Sequence, residues 1–233
     1  MNELKQSPKG FLIMAASHIG QIEDTPARTL SALRDCELLI FEEDRPARLL
    51  LKQAGIHKNY VKYNEHDPKE ILDILREHLK AGKSAVYVSD QGSPTLADPG
   101  RQLVELAYSI QATVKVIPGP SSVTSAIAAC PFRMDQFFFQ GFLSPETEKR
   151  EIELIALKNN KTPIVILDTP YRLEKLLTSC IKTFTEPRKA FLALDISGEN
   201  ETFLVGSFVK LLEFAKGKKL NFVLIIKGFR SGV

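Results

Sequence analysis

Ser89–Gly100 is a twelve-residue polar stretch reading Ser-Asp-Gln-Gly-Ser-Pro-Thr-Leu-Ala-Asp-Pro-Gly. It follows the apolar run Ser84-Ala-Val-Tyr-Val-Ser89, whose length and β-branched content predict a buried strand. Asp98 stands before Pro99, which predicts an N-cap with proline at the first helical position. A shaped loop between a strand and a helix is where open α/β sheets bind ligands. Glycine lets a ligand approach the backbone, proline fixes φ, and aspartate accepts hydrogen bonds. An ordinary solvated connection is the competing reading.

Four more segments end predicted strands with polar residues. They are Ser17–Asp24 with His18, Glu42-Glu-Asp-Arg45, Pro118-Gly-Pro-Ser-Ser122, and Asp168-Thr-Pro-Tyr171. In a parallel sheet such exits share one edge, so their convergence says more than any one of them. His18 is either a base, a substrate hydrogen-bonder or a loop histidine without a chemical task. His66, in Tyr63-Asn-Glu-His-Asp67, is either catalytic or part of a helix-entry loop. Arg45, Arg48 and Lys52 recur at three- and four-residue steps, on one helical face. That face either contacts phosphates or is simply solvated. The chain contains no GxGxxG, Walker lysine or Gly-x-Ser-x-Gly elbow, which argues against dinucleotide, nucleoside-triphosphate and α/β-hydrolase chemistry.

The elements that must position these residues alternate. Gly10–Ala16, Glu37–Phe41, Ser84–Ser89 and Thr113–Ile117 read as four strands. Between them lie helices Pro26–Cys36 with Thr25 as N-cap, Pro46–Ala54, one opened by an Asp67–Glu70 capping box, and 99–110. This is the pattern of βαβ units. Pro118-Gly119-Pro120 is the strongest break, so lobes 1–117 and 118–233 are expected, with a cleft between them. Past the break come helix Ser121–Ala129, strand Gln136–Gln140, a charged helix at 145–159, strand Pro163–Leu167 and helix Tyr171–Phe184. Strands Lys189–Leu194 and Glu201–Val205 flank a hairpin signal; helix 207–216 and strand Leu220–Lys227 follow. The fold class is thus α/β, with a mainly parallel first sheet and a mixed second one.

The composition sets bounds. The chain has 233 residues, 44% of them hydrophobic, enough for a packed core. No apolar run approaches the roughly 20 residues of a membrane span, and the N-terminus lacks a signal-peptide apolar region. Cys36, Cys130 and Cys180 are widely spaced, and no CxxC or Cys/His cluster exists. A cytoplasmic, reducing setting without structural zinc or another metal is expected. A net charge of +3 permits an anionic polymer as partner only if the cations cluster.

These segments carry a resemblance. The order His18-Ile-Gly-Gln-Ile22, Glu42-Glu-Asp-Arg45, Glu65-His-Asp67, Ser89-Asp-Gln-Gly-Ser-Pro94 through Asp98-Pro-Gly100, Pro118-Gly-Pro120, Gln140-Gly-Phe-Leu-Ser144 resembles the tetrapyrrole methylase family of S-adenosylmethionine (SAM)-dependent methyltransferases. It is most similar to the branch that 2′-O-methylates a cytidine of small-subunit ribosomal RNA. The resemblance implies two αβα lobes with SAM in the cleft between them, a homodimer, and ribosomal RNA or the small subunit as partner. It implies SAM contacts at Asp90, Gly92, Pro94, Asp98, Ser121, Ser122, Asp168, Thr169 and Tyr171. The catalytic residue stays open among His18, Arg45 and His66, with Arg45, Arg48 and Lys52 toward the substrate. Departures concentrate late in the chain, in Asp168-Thr-Pro-Tyr-Arg172, Ala193–Ser197 and Leu220-Asn221. Two alternatives stay open: a methylase of tetrapyrrole carbon, disfavoured by the missing Gly-x-Gly-Pro-Gly-Asp loop, and a SAM-binding regulator without catalysis.

Overall fold

The computed structural model describes residues 10–184 and 188–229. The chain divides into two compact units between Ser121 and Ser122. Unit 1 contains β1 (Phe11–Ala15), α1 (Ala27–Asp35), β2 (Leu38–Phe41), α2 (Asp44–Gln53), β3 (Val61–Lys62), α3 (Lys69–Lys80), β4 (Ser84–Val88), α4 (Arg101–Ser109) and β5 (Thr113–Ile117). Its sheet has the order β3-β2-β4-β1-β5 and is parallel throughout.

Both faces of this sheet are covered, which is why its central strands read as unbroken apolar runs. Ile13, Leu39, Phe41, Val86 and Val88 pack with Leu33, Leu50 and Leu51 of α1 and α2. The alternate residues Leu12, Met14, Ile40, Ala85 and Tyr87 pack with Ile71, Leu75, Leu79 and Leu103 of α3 and α4. The chain leaves β1 toward β2 over the first face and leaves β4 toward β5 over the second. The carboxyl ends of the neighbouring strands β1 and β4 are therefore the topological switch point, where such sheets open a crevice.

Unit 2 contains α5 (Ser122–Ala129), β6 (Phe138–Gly141), α6 (Thr147–Leu157), β7 (Ile164–Asp168), α7 (Leu173–Thr183), β8 (Lys189–Leu194), β9 (Thr202–Ser207), α8 (Phe208–Ala215) and β10 (Phe222–Ile226). Its sheet runs β6-β7-β10-β8-β9, and only the β6–β7 pair is parallel. Leu154, Leu176, Leu177 and Leu211 of α6, α7 and α8 cover one face. Val123 and Ala126 of α5 pack on Val165, Phe191, Val223 and Ile225 of the other.

Several expectations are corrected. Unit 1 has five strands, because the two-residue edge strand β3 lies in a stretch too short to show alternation. Thr25 does not cap α1; Pro26 holds that position, and the Thr25 hydroxyl meets His18 Nδ1 at 3.1 Å. No side chain caps α3, whose N-cap is Pro68, so the Asp67 capping box is not formed. Asp98 does not cap α4 and Pro99 is not in it. The helix begins at Arg101 after Gly100, at φ 117°. A Cβ at Gly100 would lie 2.8 Å from the Tyr87 ring, so glycine alone closes this turn, and it displaces the helix start past Asp98. Asp168 is the last residue of β7 rather than a loop residue.

Candidate functional site

The switch point of unit 1 is locked by backbone. Ser17 N–H donates to Gly92 O and Gly92 N–H donates to His18 O, both at 2.9 Å. The start of the β4–α4 loop is thus bridged to the chain leaving β1. Gly92 has φ 74°, and a Cβ there would stand 3.0 Å from Ile19 Cγ2 and 3.4 Å from Pro120 O. Ser93 Oγ donates to Pro120 O at 3.2 Å, which brings in the exit of β5. Asp90 Oδ1 accepts from Glu43 N–H at 3.3 Å, which brings in the exit of β2. Further along, Thr95 and Ala97 have φ of 69° and 56°. Left-handed backbone costs non-glycine residues about 1 kcal/mol each, so the surrounding fold holds the loop in this shape.

Carboxylates gather at this edge, and burial leaves them short of solvation. Asp98 Oδ2 is buried, and among the described residues nothing hydrogen-bonds it. Burial pushes Asp98 up to about 6, against a hydrogen bond from Ser89 and with help from Asp90 and Glu65. Glu42, the first residue past β2, rises to about 7 through burial and the fields of Asp98 and Asp90. Asp90 itself is raised by burial, offset by the Glu43 N–H. Tyr87 donates to Pro99 O at 3.3 Å, and burial among these acids raises its phenol. The arrangement suits a cationic ligand, whose charge would replace the missing solvation. Among the described residues no group of three His, Cys, Asp or Glu side chains is placed to hold a metal.

Of the residues named from the sequence, the structure brings His18, Asp90, Gly92, Pro94, Asp98 and Ser121 to the switch-point side of unit 1. His18 is tied to Thr25, and burial lowers its pKa against Asp24 and Glu23. His66 is exposed in the turn before α3, where its N–H donates to Asn64 Oδ1 at 3.0 Å. Arg45, Arg48 and Lys52 are exposed on α2. Arg48 reaches Asp44 at 3.8 Å and Lys62 reaches the same carboxylate at 3.2 Å. Glu42 is the functional candidate missed by sequence reasoning. Its only signal was its place at the head of the Glu42–Arg45 exit.

In unit 2, Ser122 opens α5. Asp168 ends β7 with its side chain 1% exposed. Its Oδ1 accepts from Thr169 N–H at 2.7 Å and from Arg172 Nε, while Oδ2 is buried without a hydrogen bond among the described residues. Burial raises its pKa; the Thr169 N–H and the Arg172 cation oppose that rise. Thr169 is exposed and Tyr171 is 75% exposed.

Comparison with known proteins agrees with this architecture. The ribosomal RNA small subunit methyltransferase I of Thermotoga maritima is 33% identical over 218 residues, 93% of this chain and 97% of its own length. The protein of the same name from Bacillus subtilis is 28% identical over 96% of this chain and 77% of its length. A crystal structure of the Thermus thermophilus uroporphyrin-III C-methyl transferase, complexed with S-adenosyl homocysteine, superposes with a TM-score of 0.64 at 16% identity, covering 94% of this chain and 97% of that one. The sequence profile described as Tetrapyrrole (Corrin/Porphyrin) Methylases matches residues 13–211. The chain belongs to the tetrapyrrole methylase family of SAM-dependent methyltransferases.

Proposed function

We propose that this protein transfers a methyl group from SAM to the 2′-hydroxyl of a cytidine in small-subunit ribosomal RNA. The supporting observation is similarity along almost the whole chain to enzymes named for that RNA, 33% identical over 93% of it in one case. The reading carries with it the cytoplasm, where ribosomes are assembled, and the homodimer that the family resemblance implies.

SAM, when bound, supplies an electrophilic methyl on a cationic sulfur. The residues of unit 1 fit it: among the described residues Asp98 has a buried carboxylate oxygen without a donor, and Gly92, with no space for a Cβ beside Ile19 and Pro120, holds the loop closed against the exits of β1 and β5. Asp90, Pro94 and Ser121 belong to the same edge; Ser122, Asp168, Thr169 and Tyr171 are the contacts that the family resemblance adds. A ribose hydroxyl is a weak nucleophile and must give up its proton as its oxygen gains carbon. Glu42, with a pKa of about 7, matches a base working near neutrality. His18, engaged by Thr25, and His66, exposed in its turn, match it less well. Arg45, Arg48 and Lys52 would face phosphates of the RNA.

The test is transfer of tritium from labelled SAM to small ribosomal subunits of a strain lacking this protein. Label in the RNA that appears as 2′-O-methylcytidine after digestion is the expected result. SAM binding without any label in the RNA would sink the acceptor assignment, and label on a tetrapyrrole instead would replace it.

A further inference from the structure

The other end of the unit 2 sheet holds a cavity with no part in the reading above. It measures about 430 Å³ and is lined by Phe132, Arg133, Asp135, Lys161, Lys227 and Gly228, among others. It sits where β6 and β7 begin and β10 ends, so β7 separates it from Asp168 along its full length.

Its walls are set by backbone. A Cβ at Gly228 would stand 2.1 Å from Lys161 O, so the chain leaving β10 lies directly against the α6–β7 connection. Phe138 N–H donates to Pro163 O at 2.8 Å, Lys227 N–H to Lys189 O at 3.0 Å, and Phe229 N–H to Asn160 O at 2.8 Å. These segments lie far apart in sequence and are joined before any ligand arrives.

The charge is one-sided. Arg133, Lys161 and Lys227 face one lining acid, Asp135, which is paired with Arg133. Exposed Lys189 continues the cationic edge at the start of β8. Aromatic surface adjoins it. Lys227 Nζ lies 5.8 Å from the Phe132 ring centre, and Phe137 and Phe138 at the start of β6 are 41% and 44% exposed. β6 is an edge strand, so these rings stand at the rim of the sheet. Cations beside open phenyl faces are what single-stranded nucleic acid uses: phosphates meet Lys and Arg, and unstacked bases lie on the rings. A simple anion would need no aromatic rim. A duplex would need a longer basic strip than this one.

We propose that this cavity is a second RNA site, taking a phosphate and adjacent bases of a single-stranded segment of the ribosomal RNA; it rests on the RNA reading given above. It would hold the substrate at a place separate from the reacting nucleotide.

The experiment measures binding of the full chain to transcribed small-subunit ribosomal RNA across a salt series, with SAM affinity measured alongside. Lys161→Ala/Lys227→Ala should weaken RNA binding on the order of tenfold, and should reduce the slope of log affinity against log salt by about 1.4, two contacts at about 0.7 each for a single strand. SAM affinity should not change. Phe137→Ala/Phe138→Ala should weaken binding while leaving the slope as it was. If the lysine variant keeps wild-type affinity and slope while wild type binds RNA, the cavity assignment falls and the RNA reading stands. A loss seen on intact subunits but not on naked RNA also overturns it, assigning the cavity to a ribosomal protein. If wild type binds no RNA at low salt, the RNA reading itself fails and takes this site with it.

Discussion

In unit 1 every strand leaves the sheet at the same edge, whereas in unit 2 β6, β7 and β8 leave where β9 and β10 begin. The parallel arrangement forces several polar exits together. Glu42, Asp90 and Asp98 therefore share one region, where burial raises all three and the charges of Asp98 and Asp90 raise Glu42 further. The mixed arrangement deals its exits to two ends. Asp168 there is relieved by the Thr169 N–H, the Arg172 cation and, less strongly, Arg150. Unit 1 thus gathers several raised carboxylates, while in unit 2 nearby donors and cations offset part of the burial of one. Parallel topology concentrates unsolved electrostatics; antiparallel pairing disperses it.

The sharpest way to break that contrast is to remove a fixed cation from unit 2. Arg150 is 2% exposed and donates to Ser144 O, Pro145 O, Thr147 Oγ1 and Ser179 Oγ. Arg150→Leu should cost about 2 kcal/mol, since the buried Ser179 hydroxyl and the partly buried Ser144 carbonyl lose their donor. Urea unfolding measures it; a loss below about 1 kcal/mol would mean that unit 2 does not depend on its internal cations.

A medium effect is expected in unit 1, and it depends on pH. The folded pKa values of Glu42 and Asp98, about 7 and about 6, exceed the ordinary 4.5 and 3.8. The native state therefore holds protons that the unfolded chain releases. Their contribution to stability is fully present below about pH 4 and fades as pH climbs through 6 and 7. Glu42→Gln/Asp98→Asn should flatten the fall of the ligand-free Tm between pH 5 and 8. Parallel Tm profiles for wild type and variant would refute the shared-desolvation account. Glu42→Gln alone should lower kcat and remove the acidic limb of its pH profile; a wild-type profile would take the base assignment from Glu42.

The smallest effect belongs to the surface of α2. Arg48 and Asp44 are 73% and 41% exposed at their side chains, so Arg48→Ala should leave the urea midpoint unchanged. If that face meets phosphate, RNA affinity should nevertheless fall and its salt slope decrease by about 0.7. A stability loss with unchanged RNA binding would make Arg48 structural and sharpen the contrast the other way.

What was legible in the sequence follows from the same physics. The central strands announced themselves because a sheet covered on both faces needs apolar residues at every position, as in Ala85-Val-Tyr-Val88. The exposed Arg45, Arg48 and Lys52 face could be read from spacing alone. The helix starts could not. Asp98-Pro99 has the composition of a cap, but the turn is decided by Gly100 fitting beneath Tyr87, a contact between distant residues. The elevated Glu42 pKa arises first from burial and then from Asp98 and Asp90, some fifty residues later in the chain and near only once β2 pairs with β4. Arg133, Lys161 and Lys227 likewise meet only through the order β6-β7-β10.

One feature of unit 1 also bears on how the chain is made. β4 lies between β1 and β2 in the sheet, although both precede it in synthesis. A nascent chain that has emerged only through α3 holds two apolar strands with no partner between them. Each displays an unpaired edge open to other chains. Arrival of Ser84–Val88 fills the gap from both sides at once and, through Gly92, closes the bridge to Ser17 and His18. The central strand that completes the sheet therefore also completes the polar exit edge, so a molecule stalled before it has neither a finished core nor a closed switch point.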